Sequence, residues 1–380
     1  MSHPPIDPEA LETLRQRVRQ EIDAGLLPSC QWALARGGEI VAQGTHGAAP
    51  AGESTRYVLF SASKAIVSAA VWQLIGEGRI ALADPVAQHV PEFGTRGKEA
   101  ITIEQLLSHT AGIASSVLMP PETDTRESRL AAMTEWPLDW EPGSAFAYHI
   151  TSAHWVQAEL LERYDGIDFR ESITRRISDP LGLPSLRLGV PEPAQGDIAR
   201  PCLVGDEPTE AEYMEKLGIP GIDRKEATDD NLMLLAQDSV LAAGVPGGGA
   251  VSTAADFALF WQALLHNPGK LWDPAVLHDA TANIRTTAPD WIRGGTPANR
   301  TLGLLVAGDD GTAWSRGFGY KTSPRAFGHD GAGGQIAWAD PATGLSFVYL
   351  TDAIDRNLFR QWSRIRSIAS KAAAVVAGTA

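Results

Sequence analysis

The chain has 380 residues, 44% of them hydrophobic, and 32 Lys and Arg against 46 Asp and Glu give a formal net charge of −14. That length and apolar content are ample for a large buried core and argue against disorder. The acidic balance argues against nucleic acid or an anionic membrane as partner, since neither finds the clustered cations it needs.

Two cysteines, Cys30 and Cys202, lack the short paired spacing of a zinc or redox motif and are expected to be buried thiols. The first 25 residues carry charges throughout, and no later apolar run approaches the roughly 18 residues of a membrane span. A soluble, cytoplasmic protein is expected.

Asp7, Pro8 and an amphipathic run ending at Gly25 have the cap, first-turn proline and stop residue of a helix. CQWALAR and EIVAQGT flank Gly37-Gly38 and predict a hairpin. From Ser63 to about Ile75, Ile66, Ala70, Val71 and Leu74 recur at helical spacing, which places Ser61 at that helix's N-terminus. Between about 80 and 245 helical segments dominate, among them Ile103 to Ser108, Thr151 to Tyr164 and Glu210 to Lys216, and strand patterns are scarce. After Gly247-Gly248-Gly249, STAADFALFWQALL begins with a capping-box pattern from Thr253 to Asp256. GQIAWAD and LSFVYLTD flank a Pro-Ala-Thr-Gly turn, and an amphipathic helix closes the chain from about Asn357 to Val376.

Strands at both chain ends imply one sheet assembled from both. The expected fold is therefore α/β of the α+β type, an antiparallel sheet flanked by terminal helices with a mainly helical insertion. The expected division is one lobe from 1–60 and 246–380 and a helical lobe from 61–245, with the site in the cleft between them.

Phe60-Ser61-Ala62-Ser63-Lys64 is a Ser-x-x-Lys pattern, in which a helix brings hydroxyl and amine onto one face. A serine hydroxyl needs a neighbouring base, and a lysine serves if burial lowers its pKa. Lys64 is the only lysine with a serine three residues before it, and it lies in the apolar run AIVSAAVWQLI. The alternative is a helix cap followed by a solvated lysine.

FSASK, ITIEQLLSHTAGI, WEPGSAFAYH, GGGAVSTAADFALF and AFGHDGAGG follow one another as in class C β-lactamases, DD-peptidases and family VIII carboxylesterases, over most of residues 25–352. The chain thus resembles the serine β-lactamase and penicillin-binding-protein family. The resemblance implies that family's fold, acyl-enzyme chemistry, no metal and no organic cofactor. It also implies that Ser61 is the nucleophile, Lys64 its base and Tyr148 the proton-relaying tyrosine, whose pKa a nearby ammonium would lower. The backbone N–H groups of Ser61 and Ala332 match the oxyanion hole, and His329 and Gly331 fall on the substrate-binding strand.

Two departures bear on substrate. Ile150 stands where the family's Tyr-x-Asn has its amide, and His329 stands where many members have lysine. Both disfavour a β-lactam or D-amino-acid peptide and favour a small carboxylic ester. Amide hydrolysis on the same scaffold and a non-catalytic binding protein that kept the fold are the alternatives. The elbow Gly-x-Ser-x-Gly, His-Glu-x-x-His and phosphate-binding glycine loops are absent. His109 is read as part of a structural turn. Trp140, Trp314, Phe318 and Trp338 are candidate pocket walls.

Overall fold

The computed structural model describes residues 5–50, 52–222 and 228–376. Six antiparallel strands form the main sheet, in the order Leu305–Val306, Phe327–Gly328, Ile336–Asp340, Leu345–Thr351, Ser29–Arg36 and Glu39–Gly47. The two chain ends meet at its centre, where Trp32 lies opposite Tyr349 and Leu34 opposite Phe347.

This sheet is covered on both faces. Trp32, Leu34, Trp338 and Phe347 pack with Leu14, Val18, Ile368 and Ala372 of the terminal helices Pro8–Asp23 and Leu358–Ala373. Ala33, Ala35, Ala337 and Val348 join the core that contains Phe257, Phe260 and Trp261 of the helix Ala254–His266. Two buried faces explain why CQWALAR is apolar almost continuously and not in alternation. The terminal helices are also tied by charge, since the buried Arg364 donates to Glu21 at 2.6 Å and to Asp355 at 3.1 Å.

The helix starts follow local chemistry. The Asp7 carboxylate accepts from the Glu9 and Ala10 amides, and Thr102 and Gln105 form a reciprocal capping box. At Thr253 only half of the expected box forms: its hydroxyl accepts from the Asp256 amide, whereas the Asp256 carboxylate accepts from the amide and hydroxyl of Ser185. A tertiary partner has replaced the local one.

The region 80–245 is mainly helical, yet it also supplies strands of two or three residues. Arg187–Leu188, Ala250–Ser252, Arg56–Val58 and Ile198–Ala199 make a second, four-stranded sheet. Segments so short carry no periodicity, so the sequence pattern could not announce them. Cys202, expected to be buried, is only partly so on the strand Cys202–Val204, while Cys30 is fully buried. No helix among the described residues is long and apolar enough to cross a membrane.

One buried amide ties the two sheets together. Gln335 is fully buried; its Nε2 donates to the carbonyls of Val58 (3.2 Å) and Thr351 (2.8 Å), and its Oε1 accepts from the Thr351 amide at 2.8 Å. Gln335→Ala would remove three buried hydrogen bonds to backbone groups, each worth about 1–1.5 kcal/mol. Urea denaturation is expected to show a loss of about 3–5 kcal/mol; a loss below about 1 kcal/mol would contradict this account.

Candidate active site

The strand Arg56–Val58 leads through Leu59 into a short helical turn, Phe60–Ala62, and then the helix Ser63–Gly76. Phe60, buried and bulky, adopts φ +46°, a conformation costly for such a residue and typical of functional corners. Ser61 follows directly and remains partly exposed, while the rest of the helix through Leu74 is buried.

One turn on, Lys64 is completely enclosed. Its Nζ donates to the Gly247 carbonyl at 2.5 Å and lies 3.4 Å from Ser61 Oγ. Burial, reinforced by the positive charge of Arg300, pushes its pKa well below the ordinary lysine value, with Asp330 opposing. Gly247 makes the approach possible: a Cβ there would lie 2.7 Å from the Ile150 carbonyl and 3.4 Å from Lys64 Nζ.

Tyr148 lies on an irregular loop before the helix Ser152–Asp165. The loop is pinned by two imidazoles. His149 accepts from the Ile113 amide through Nε2 (3.1 Å) and donates from Nδ1 to the Ala147 carbonyl (2.7 Å), and its own amide donates to His109 Nδ1 (3.0 Å). The His109 ring stacks on Tyr148 at 5.0 Å, while Lys64 Nζ and the Arg300 guanidinium each lie 4.9 Å from the tyrosine's ring centroid. The Tyr148 hydroxyl faces the Ser61 side chain, and among the described residues it finds no other hydrogen-bond partner.

The expected lowering of the Tyr148 pKa does not occur. Burial pushes it up to about 12, and Arg300 only partly offsets this. A protonated phenol and a neutral amine are the forms that this environment favours near neutral pH.

On the opposite side, His329 is buried with both ring nitrogens engaged. Nε2 accepts from Arg300 at 3.0 Å and Nδ1 donates to the Asp330 carbonyl at 2.7 Å. A substrate anion would have to displace one of these bonds to reach the imidazole. Asp330 ion-pairs with Arg293 at 2.6 Å. Burial opposes its charge, but Arg293 and then His329 hold its pKa below the usual carboxylate range. Gly331 is required by close approach, since a Cβ there would meet the Leu59 carbonyl at 2.3 Å. Ala332, partly exposed, opens a short helical turn, as Ser61 sits in one. First-turn amides lack intrahelical acceptors and are free to donate to a ligand.

The family whose description is Beta-lactamase matches residues 14–369. This chain belongs to that family. Membership makes it a serine hydrolase. Esterase EstB of Burkholderia gladioli is 29% identical over 360 residues, covering 84% of each chain. Esterase/beta-lactamase LipL of Mycobacterium tuberculosis is 25% identical over 312 residues, covering 77% of this chain and 68% of the relative. A penicillin-binding protein homologue from Caulobacter crescentus superposes with a TM-score of 0.76 at 25% identity, covering 98% of this chain and all (100%) of the other.

In this family member the structure brings Ser61, Lys64, Tyr148, His329 and Ala332 into one neighbourhood. Of the four candidate wall aromatics, only Trp140 stays near it, edge-on to His149. Phe318 and Trp338 belong to the core beneath the terminal helices, and Trp314 is covered by Arg366. The Gly247 carbonyl, Arg300 and the Arg293–Asp330 pair escaped sequence reasoning. Arg300 in particular lies in no recognisable motif. A separate groove of about 540 Å³, lined by Glu92, Arg126, Glu162 and Arg163, shares no residue with the site.

Four fully buried histidines, 109, 149, 154 and 329, have pKa values depressed by burial first, to about 4 for His149. They are neutral when folded and protonate near 6.5 in the unfolded chain, so the unfolded state binds more protons below that pH. Stability is fully present above about pH 6.5 and is lost as pH falls toward the folded values, by about 1.4 kcal/mol per pH unit for each histidine. Denaturant midpoints at pH 7.5, 6.5 and 5.5 are expected to drop steeply over the last interval. Equal midpoints would show that these imidazoles are not held neutral.

Proposed function

We propose that this enzyme hydrolyses small carboxylic esters through an acyl-enzyme on Ser61. The observation that carries the reading is the enclosed Lys64 amine, held between the Gly247 carbonyl and Ser61 Oγ in surroundings that favour its neutral, basic form. Ser61 Oγ attacks the ester carbonyl carbon and its proton passes to Lys64 Nζ. The amides of Ser61 and Ala332 stabilise the resulting oxyanion. As the tetrahedral intermediate collapses, the ester C–O bond breaks and the departing alcohol oxygen takes a proton from Lys64 by way of the Tyr148 hydroxyl. Water then repeats the sequence in place of the alcohol, releasing the acid and restoring Ser61.

The ester preference rests on Ile150, which offers no amide to a peptide-like side chain, and on the engaged, neutral His329. It agrees with the similarity to an esterase. Amide or β-lactam hydrolysis is the second reading, favoured by the similarity to LipL. Against a purely binding protein stands the convergence of nucleophile, base and phenol. We place the site in the cleft between the 61–245 segment and the rest, and the protein in the cytoplasm, in keeping with its free thiols Cys30 and Cys202.

Short-chain p-nitrophenyl esters and nitrocefin, tested with wild type, Ser61→Ala and Lys64→Met, decide between these readings. Ester turnover is expected to fall by about 10³-fold or more in both variants, with little nitrocefin hydrolysis by wild type. Undiminished turnover in Ser61→Ala would remove the nucleophile and the mechanism with it. Because Lys64 must be unprotonated, wild-type kcat/KM is also expected to rise from mildly acidic to alkaline pH; a flat profile from pH 5 to 9, with chemistry rate-limiting, would contradict the assignment of the base.

A further inference from the structure

Arg300 is almost completely buried, yet among the described residues no carboxylate lies within ion-pairing distance of it. Its Nε has no hydrogen-bond partner, and one terminal nitrogen donates to the neutral His329. A buried guanidinium without a counter-ion is destabilising. The carboxylate that would be expected to neutralise it, Asp330, is instead bound to Arg293 at 2.6 Å. The Arg300 charge is therefore left without a direct ion-pair partner among the described residues, with Asp330 and Asp290 acting on it only at longer range.

Its position determines what that charge acts upon. Lys64 Nζ and the Arg300 guanidinium lie against the same Tyr148 ring, each 4.9 Å from its centroid, so they are at most about 10 Å apart. The other groups around Lys64 are accounted for. The turn that precedes its helix supplies the Ser61 hydroxyl, and the glycine run supplies the Gly247 carbonyl. The neighbouring imidazoles of His109, His154 and His329 are neutral, and the charge of Asp330 is shared with Arg293.

We propose that Arg300 is a positioning residue for the catalytic base: its unpaired guanidinium, seated against Tyr148 and hydrogen-bonded to His329, keeps the Lys64 amine unprotonated at neutral pH. This rests on the reading of Lys64 as the base. Burial already acts in that direction, and the fixed cation adds to it. Two like charges at such a separation, at an effective dielectric near 20, move a titration by about one pH unit. The same cation counteracts the rise in the Tyr148 pKa, so it favours the unprotonated form of both groups.

The test is the pH dependence of kcat/KM for a short-chain p-nitrophenyl ester, from pH 5 to 10, in wild type, Arg300→Met, Arg300→Lys, Asp330→Asn and Lys64→Met. Arg300→Met is expected to move the acid limb up by about one pH unit, lowering the rate about tenfold below the limb while the alkaline plateau is largely kept. Arg300→Lys, which restores a charge, should return the limb toward wild type. Asp330→Asn, which removes the opposing charge, should move it down. An Arg300→Met limb at the wild-type pH, with the rate merely scaled, overturns the proposal and leaves Lys64 as base intact. A Lys64→Met variant that keeps the acid limb overturns the underlying reading instead. Should circular dichroism show Arg300→Met unfolded, Arg300→Gln, which keeps a donor for His329 and removes the charge, takes its place: a limb at the wild-type pH overturns the proposal.

Discussion

An amine enclosed by protein on every side is the constraint around which the rest of this molecule is arranged. A charged ammonium at the position of Lys64 would be severely desolvated, and among the described residues it has no carboxylate partner, only a backbone carbonyl and a hydroxyl. The neutral form is therefore favoured, and a neutral amine beside a serine hydroxyl is a base. In the proposed mechanism, the energetic penalty on the charged form is the origin of the chemistry.

Holding that arrangement in place requires segments far apart in the chain to approach closely. The nucleophile turn, the Tyr148 loop, the glycine run at 247 and the His329–Ala332 strand end are brought together by groups that leave no room for alternatives. Gly331 meets the Leu59 carbonyl where a methyl group would not fit, and Gln335 bridges the strand ends on either side. His109 and His149 lock the tyrosine loop through backbone amides, which makes them supports of that loop. Rigid placement of this kind removes reorganisation from the reaction.

The electrostatic pattern is asymmetric. Asp290, Arg293 and Asp330 form an ion-paired chain at the rim, with Arg293 3.4 Å from Asp290 and 2.6 Å from Asp330. Arg300, fully buried, has no ion-pair partner among the described residues. Its positive potential accordingly falls on Lys64 and Tyr148, the two groups to which the proposed mechanism gives the proton. The site discriminates by what it lacks: without an amide at 150 and with His329 already bonded on both nitrogens, little is offered to a peptide backbone or a substrate carboxylate.

The sequence by itself determined the main helices, the central hairpin, the strands from both chain ends and the Ser61–Lys64 pair, because each is written in local periodicity, capping residues or one helical turn. The family resemblance carried by the order of short motifs added the expectation that Tyr148, His329 and Ala332 lie with them. Only the tertiary structure decided the second sheet, whose strands are too short to show a pattern, and the direction of the Tyr148 shift, where burial outweighs the neighbouring charge. Only the tertiary structure, too, brought Arg300 to the Tyr148 ring and sent Asp330 to Arg293. Desolvation and charge pairing depend on what surrounds a group in three dimensions, and no spacing along the chain encodes that.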